Sequence, residues 1–403
     1  MNSHNGTRMP IATVRSSLLL AALSLLLSAC SSTTVVKTTQ PIAIEQQQTA
    51  IAEAELLDVG IKLFDPNLEQ LDRDDETLTF AEIRNAESRF LPMQLMSSLQ
   101  ASAAWGAVRV VPITQNSSDV TVSGKILHSD GEQLSLEISV SDATGRHWFT
   151  RDYEERASKY AYRKTRPGTP VIEPFQNLYH RIANDMLQYR RDNFDGNALR
   201  GIRTTGELRF AQEFSPAAFG GHVRNSNGKY TIQRLPANND PMMQRIRMIR
   251  ERDYLFIDTM QGYYDNFTQE MYDPYQEWRG MSYKEAVAMR KLKSQARTDT
   301  IMGIAAIIAG IAGAASDSSA ARASSGVAIA GGGFLIKSGY DKRAEAEMHL
   351  EALMELGESL EAEMEPQVIE LEDRTITLSG TVDNQYKQWR ELLKDLYDVE
   401  TGS

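Results

Sequence analysis

Residues 119–153 read DVTVSGKILHSDGEQLSLEISVSDATGRHWFTRDY, and this run decides the fold class. Apolar residues alternate with polar ones over 119–127, 134–140 and 147–153, the period of a half-buried strand. The segments are separated by Ser129-Asp130-Gly131 and by Asp142-Ala143-Thr144-Gly145, which are tight-turn sequences. Three strands joined in this way form an antiparallel meander. Upstream, Leu57, Val59, Ile61 and Leu63 alternate in the same manner until Asp65-Pro66 stops them. Residues 80–104 then carry Ile83, Ala86, Phe90, Leu95, Leu99 and Ala103 near helical spacing, with Pro92 as a kink or restart. Trp105-Gly106 closes that helix, and 107–113 (AVRVVPI) is another strand. The order β-α-β followed by β-β-β predicts an α+β domain over 53–160, a mixed sheet with helix packed on one face.

The strings DVTVSGKI, LSLEISVSDATGR and HWFTRDYE, in that succession, resemble the periplasmic domain at the TolB N-terminus and in related lipoproteins such as CsgG and LpoB. The resemblance covers roughly residues 55–160. It implies a domain that binds other envelope proteins and is not catalytic.

The chain has 403 residues, 41% of them hydrophobic and 24% charged, which suits a folded protein of two or three domains. Its 43 Lys and Arg against 54 Asp and Glu give a net charge of −11. A nucleic-acid binder needs surplus positive charge to neutralise phosphates, so no nucleic-acid partner is expected. The single cysteine, Cys30, excludes an intramolecular disulfide framework and any cysteine-built metal cage.

Residues 1–29 contain Arg8 and Arg15, no acid, and an apolar stretch over 18–27 interrupted only by Ser24. These are the features of a secretory signal peptide, about half as long as the ~20 residues a membrane-spanning helix requires. The stretch ends in Leu27-Ser28-Ala29-Cys30, which is similar to the lipobox of bacterial lipoproteins. That resemblance implies acylation of Cys30 and cleavage before it; Ser31 in place of Asp implies outer-membrane sorting.

 The compartment expected from the resemblance is therefore the outer membrane, with the chain lipid-anchored and facing the periplasm. Cleavage removes two arginines and no acid, taking the net charge from −11 to −13. An acidic body is not drawn to anionic lipid, so the acyl chains must supply the attachment; two or more chains suffice.

Residues 30–52 are polar and without period, and read as a flexible tether. Residues 161–280 read as an aromatic-rich helical region. A helix over 173–191 presents Phe175, Leu178, Ile182, Met186 and Tyr189 on one face, and Pro241 starts a periodic stretch over 242–264. The aromatics of 205–280 read as the core of a compact helical unit.

From 281 to 364 the composition changes. Lys284, Arg290, Lys291, Lys293 and Arg297 precede an uncharged run, 301–315 (IMGIAAIIAGIAGAA). A polar stretch over 316–325 holds Asp317 and Arg322, and 326–336 (GVAIAGGGFLI) is uncharged again. Residues 344–364 carry seven glutamates and no Lys or Arg. This pattern predicts a long helical hairpin with an apolar tip, in which Gly303, Gly310 and Gly313 of one arm and Gly326, Gly331, Gly332 and Gly333 of the other permit close packing. The tip has three possible uses: association with a partner or a second copy, contact with a bilayer, or burial within the chain. Each uncharged run is shorter than a membrane span. A β-β-α element closes the chain over 365–403, and its string LSGTV (378–382) is similar to part of a BON module.

No two histidines stand at i, i+4, and no GxSxG elbow or phosphate loop occurs. The acidic run 72–76 (DRDDE) lacks the spaced ligands and glycine of an EF-hand. The sequence therefore predicts no enzyme, no cofactor and no metal, although a carboxylate pair assembled only by the fold stays open. The expected function is that of a structural or assembly component of an envelope complex, working through protein–protein contacts. The alternatives are an oligomeric secretion or pore component and an envelope hydrolase. Replacing Cys30→Ser should release the protein from membranes on fractionation; undiminished retention would refute acylation there.

Overall fold

The computed structural model describes residues 35–38, 41–71, 81–163, 173–313, 367–371 and 374–402. Val35–Ser403 forms one compact unit. The fold class is α+β, as expected.

The meander forms β4 (Val120–Ser129), β5 (Gln133–Asp142) and β6 (His147–Arg156), all antiparallel. Gly131 (φ +74°) and Gly145 (φ +77°) occupy the left-handed positions of its two turns, where a side chain would strain the backbone. β2 (Val59–Lys62) lies between β4 and β3 (Val108–Val111) and runs parallel to both. A short strand, β1 (Val35–Thr38), adds to the far edge parallel to β6, so the order is β1-β6-β5-β4-β2-β3.

Strand period two puts Val59, Ile61, Val120, Val122, Ile126, Leu136, Ile138 and Val140 on one buried face. That face is covered by α1 (Ala81–Ala101), which links β2 to β3, and by α2 (Gln176–Asn193). Pro92 lies inside α1 without ending it, so the helix is one 21-residue element instead of two. The opposite face carries Thr121, Ser123, Lys125, Glu137 and Ser139, none of them buried.

α3 (Gly196–Phe214) starts where Asp195 accepts the Ala198 N–H at 2.8 Å. Next comes α4 (Pro241–Gly313), a single helix of 73 residues, about 110 Å long at 1.5 Å per residue. Pro241 at its first position and Asp240, which accepts from Met242 N–H at 2.8 Å, fix its beginning. Its buried positions Met243, Ile246, Ile249, Asp253, Ile257, Met260, Tyr264, Phe267, Met271, Tyr275 and Trp278 recur every three or four residues, all of them apolar or aromatic except Asp253. Up to Met260 the apolar ones pack in a second core with Phe210 and Phe214 of α3 and Trp389 and Leu393 of α5 (Val382–Thr401). From Tyr264 to Trp278 they belong to the core over the sheet. One helix thus belongs to both cores.

Four expectations need correction or lie beyond view. Residues 30–52 are not wholly a tether. Besides β1, the backbone of Ile42, Ala43 and Glu45 bonds to Asn177, His180 and Asn184 of α2, because polar side chains on that helix supply the partners a strand neighbour would otherwise give. The helical region 161–280 contains a β-hairpin, β7 (Val223–Ser226) and β8 (Lys229–Ile232), around Asn227-Gly228, both at positive φ. The boundary at 280 falls inside α4, since the apolar stripe continues across it. The second arm of the expected hairpin lies outside the described residues. At the chain's end, β9 (Gln367–Leu371) and β10 (Arg374–Leu378) pair antiparallel ahead of α5.

The edge strand β3 is closed by a side chain. Gln261 of α4 accepts from Val110 N–H at 2.9 Å and donates to Val110 C=O at 2.6 Å, in place of a neighbouring strand. Gln261→Ala should cost about 1–3 kcal/mol, because both backbone groups lose their partner. Urea unfolding should show a lower midpoint at unchanged slope.

Candidate functional site

Of the site residues expected from sequence, Cys30, Gly326, Gly331, Gly332 and Gly333 lie outside the described residues. Gly303, Gly310 and Gly313 fall in the final turns of α4. Gly303 and Gly310, seven apart, share a helix face.

The structure gathers chemistry-bearing residues elsewhere, along α4. Arg279 is fully buried, and its guanidinium donates to both carboxylate oxygens of Glu173, at 2.7 and 2.8 Å. Its charge lies 4.2 Å from the centre of the Tyr275 ring and 5.5 Å from that of Phe175. Beside it Glu87 of α1, also fully buried, accepts from Tyr275 Oη and Ser129 Oγ, each at 2.5 Å. Burial drives the Tyr275 hydroxyl well above its ordinary pKa, with the Glu87 charge adding to the effect. This cluster ties α1, the β4–β5 turn, α4 and the chain ahead of α2. A guanidinium enclosed and paired with a carboxylate in this way fixes geometry; it does not reach a substrate.

Two turns of α4 near its start hold a second group. Asp253, fully buried, accepts from Tyr386 Oη and Arg390 of α5, each at 3.3 Å, and Arg390 also bonds Glu213 of α3 at 2.6 Å. Arg250 donates to Ser117 C=O at 3.0 Å and lies 3.4 Å from Asp119, which in turn accepts from Asp58 N–H at 3.0 Å. Desolvation raises both Asp119 and Asp253 to about 6, outweighing the nearby Arg250 and Arg390 charges. Above Asp253 a cleft of about 280 Å³ is lined by Thr114, Asn116, Glu213, Tyr386, Lys387, Arg390 and Glu391. Its charges are of both signs, and Asp253 is not among its lining residues.

A third carboxylate in this pKa range is Glu155 of β6. It accepts from Leu178 N–H at 2.6 Å and Asn177 Nδ2 at 2.9 Å, closing the first turn of α2, which has no side-chain cap of its own. Burial raises it to about 7. Among the described residues no group of three or more His, Cys, Asp or Glu is placed to hold a metal ion.

Sequence reading missed Asp253 and Arg279, yet a signal existed. Both stand at stripe positions of α4, between Ile249 and Ile257 and between Tyr275 and Ser282, where apolar residues are the rule. A charge at a core position announces a buried partner. The partners themselves, from α5 and from Glu173, were not readable.

Comparison with protein-family models, curated proteins and solved structures returns no match.

Arg279→Met should destabilise the fold by about 3–5 kcal/mol, since it strands the buried Glu173 carboxylate. Adding Glu173→Gln should recover part of that loss in a double-mutant cycle. The raised carboxylates bind protons more tightly in the folded chain than in the unfolded one. Their contribution is therefore full below about pH 4 and declines as pH rises through 6 to 7. Urea midpoints measured from pH 4.5 to 7.5 (about the window of these groups) should fall less steeply in Asp253→Asn.

Proposed function

We propose that this chain is an outer-membrane lipoprotein, anchored through acyl chains on Cys30, that acts as a structural or assembly component of an envelope complex. The observation that carries the reading is α4. Its first part is locked into two cores, and it then continues for 23 residues past Arg290 through the uncharged run that begins at Ile301. A helix fixed at its base and apolar at its end is suited to meeting a partner, either another envelope protein or a second copy of this chain. Among the described residues no helix is long and apolar enough to cross a membrane.

The lipobox supports the anchor, and the resemblance of 55–160 to envelope-binding domains supports the partner class. Light scattering on the purified protein tests self-association. A defined oligomer that Gly310→Leu with Gly313→Leu converts to monomer supports assembly through the α4 end. Leakage of liposomes caused by that oligomer would favour a pore instead, and a monomer that cleaves peptidoglycan would overturn both.

A further inference from the structure

The strand directions distinguish the two ends of the sheet. β1 runs parallel to β6, with Val35 opposite Asp152 and Thr38 opposite Glu155. β6 begins at His147, directly after the β5–β6 turn, so the start of β1 points back towards that turn. Cys30 precedes Val35 by five residues, a reach of at most about 18 Å. Asp152 to His147 is also five residues, about 17 Å of strand. A bilayer holding Cys30 is therefore within reach of the turn.

The β7–β8 hairpin is bound to the same end. Tyr230 N–H donates to Thr144 C=O at 2.8 Å, and Gly145 passes so near Gly228 that any side chain there would collide with its carbonyl. Turn and hairpin together expose Arg146, His147, Arg224 and Lys229. The acids nearby are largely engaged. Asp142 is buried and accepts from Trp148 Nε1 at 2.9 Å, and Asp195 caps α3, leaving Asp192 exposed at the end of α2. At the other end of the strands α4 passes the β4–β5 turn, where Ser282 Oγ donates to Asp130 C=O at 2.6 Å and Arg290 pairs with Glu132.

We infer that the β5–β6 turn and the β7–β8 hairpin rest on an anionic bilayer, with Arg146, Arg224 and Lys229 against lipid phosphates. α4 then leaves the body on the side away from that membrane, and its partner lies beyond it. The inference rests on the lipid anchor proposed above. In a cleaved body of net charge −13, two arginines fewer than the full chain, the anchor attaches, and this local cationic end orients, because only charges within a Debye length of ~8 Å feel the surface strongly.

The test uses the full lipidated chain in vesicles of phosphatidylethanolamine and phosphatidylglycerol. With Cys30 acylated, Ser226→Cys and Ser158→Cys each provide one thiol for a fluorophore, at the hairpin and at the far end of β6. Spin-labelled headgroups should quench the label at 226 several-fold more than the label at 158. Arg146→Glu, Arg224→Glu and Lys229→Glu together should erase the difference while the chain stays on the membrane, and about 1 M salt should do the same to the unaltered surface. Equal quenching at both sites, or a difference that survives charge reversal in a retained chain, would overturn the orientation alone. Release of the unsubstituted chain by a carbonate wash would remove the anchor, and the orientation with it.

Discussion

Arg279 against Glu173 is the contact on which the arrangement of layers depends. A guanidinium with no exposure is tolerable only if its charge is met, and both carboxylate oxygens of Glu173 accept from its two terminal nitrogens. The pair fixes the axial position of α4 against the chain that leads into α2, and Glu87 with Tyr275 fixes it against α1. Sliding α4 by one turn would leave two charges buried without partners. Apolar packing alone sets no such register, because neighbouring turns of a hydrophobic stripe are nearly interchangeable. The ionic contacts therefore make one alignment of the two cores preferable to its neighbours.

The sheet gains its stability differently. Its buried face is aliphatic and continuous, and its two edges are each occupied. Gln261 occupies the β3 edge, and β1 occupies part of the β6 edge. Both devices satisfy backbone groups that would otherwise invite another strand. The β1 device also has a consequence for placement. A chain that enters the fold as an edge strand keeps whatever lies just before it close to the sheet, so an anchor at Cys30 would hold the body near the membrane. Residues 41–47, bonded along α2, strengthen that docking.

Much of this was legible in the residues. The α+β class followed from alternation in 119–153 and from the helix between two upstream strands, since these patterns are local and each strand's turn chemistry lies beside it. Asn227-Gly228 was an equally local hairpin signal inside a region read as helical, and aromatic density obscured it. The candidate site was less legible. Asp253 and Arg279 break the stripe of α4, which marks them as unusual, but Tyr386 and Arg390 lie more than a hundred residues from Asp253 and reach it only when α5 packs on α4.

The sequence by itself determined the sheet's composition, the helical stripes and the cysteine whose setting resembles a lipobox, because periodicity and short motifs act over a few neighbouring residues. Tertiary structure decided that one helix would serve two cores, that buried carboxylates would meet distant arginines, and that the polar segment before α2 would dock. Each of these depends on which faces meet in space, and the free energy of such contacts comes from excluding water between residues that are remote along the chain.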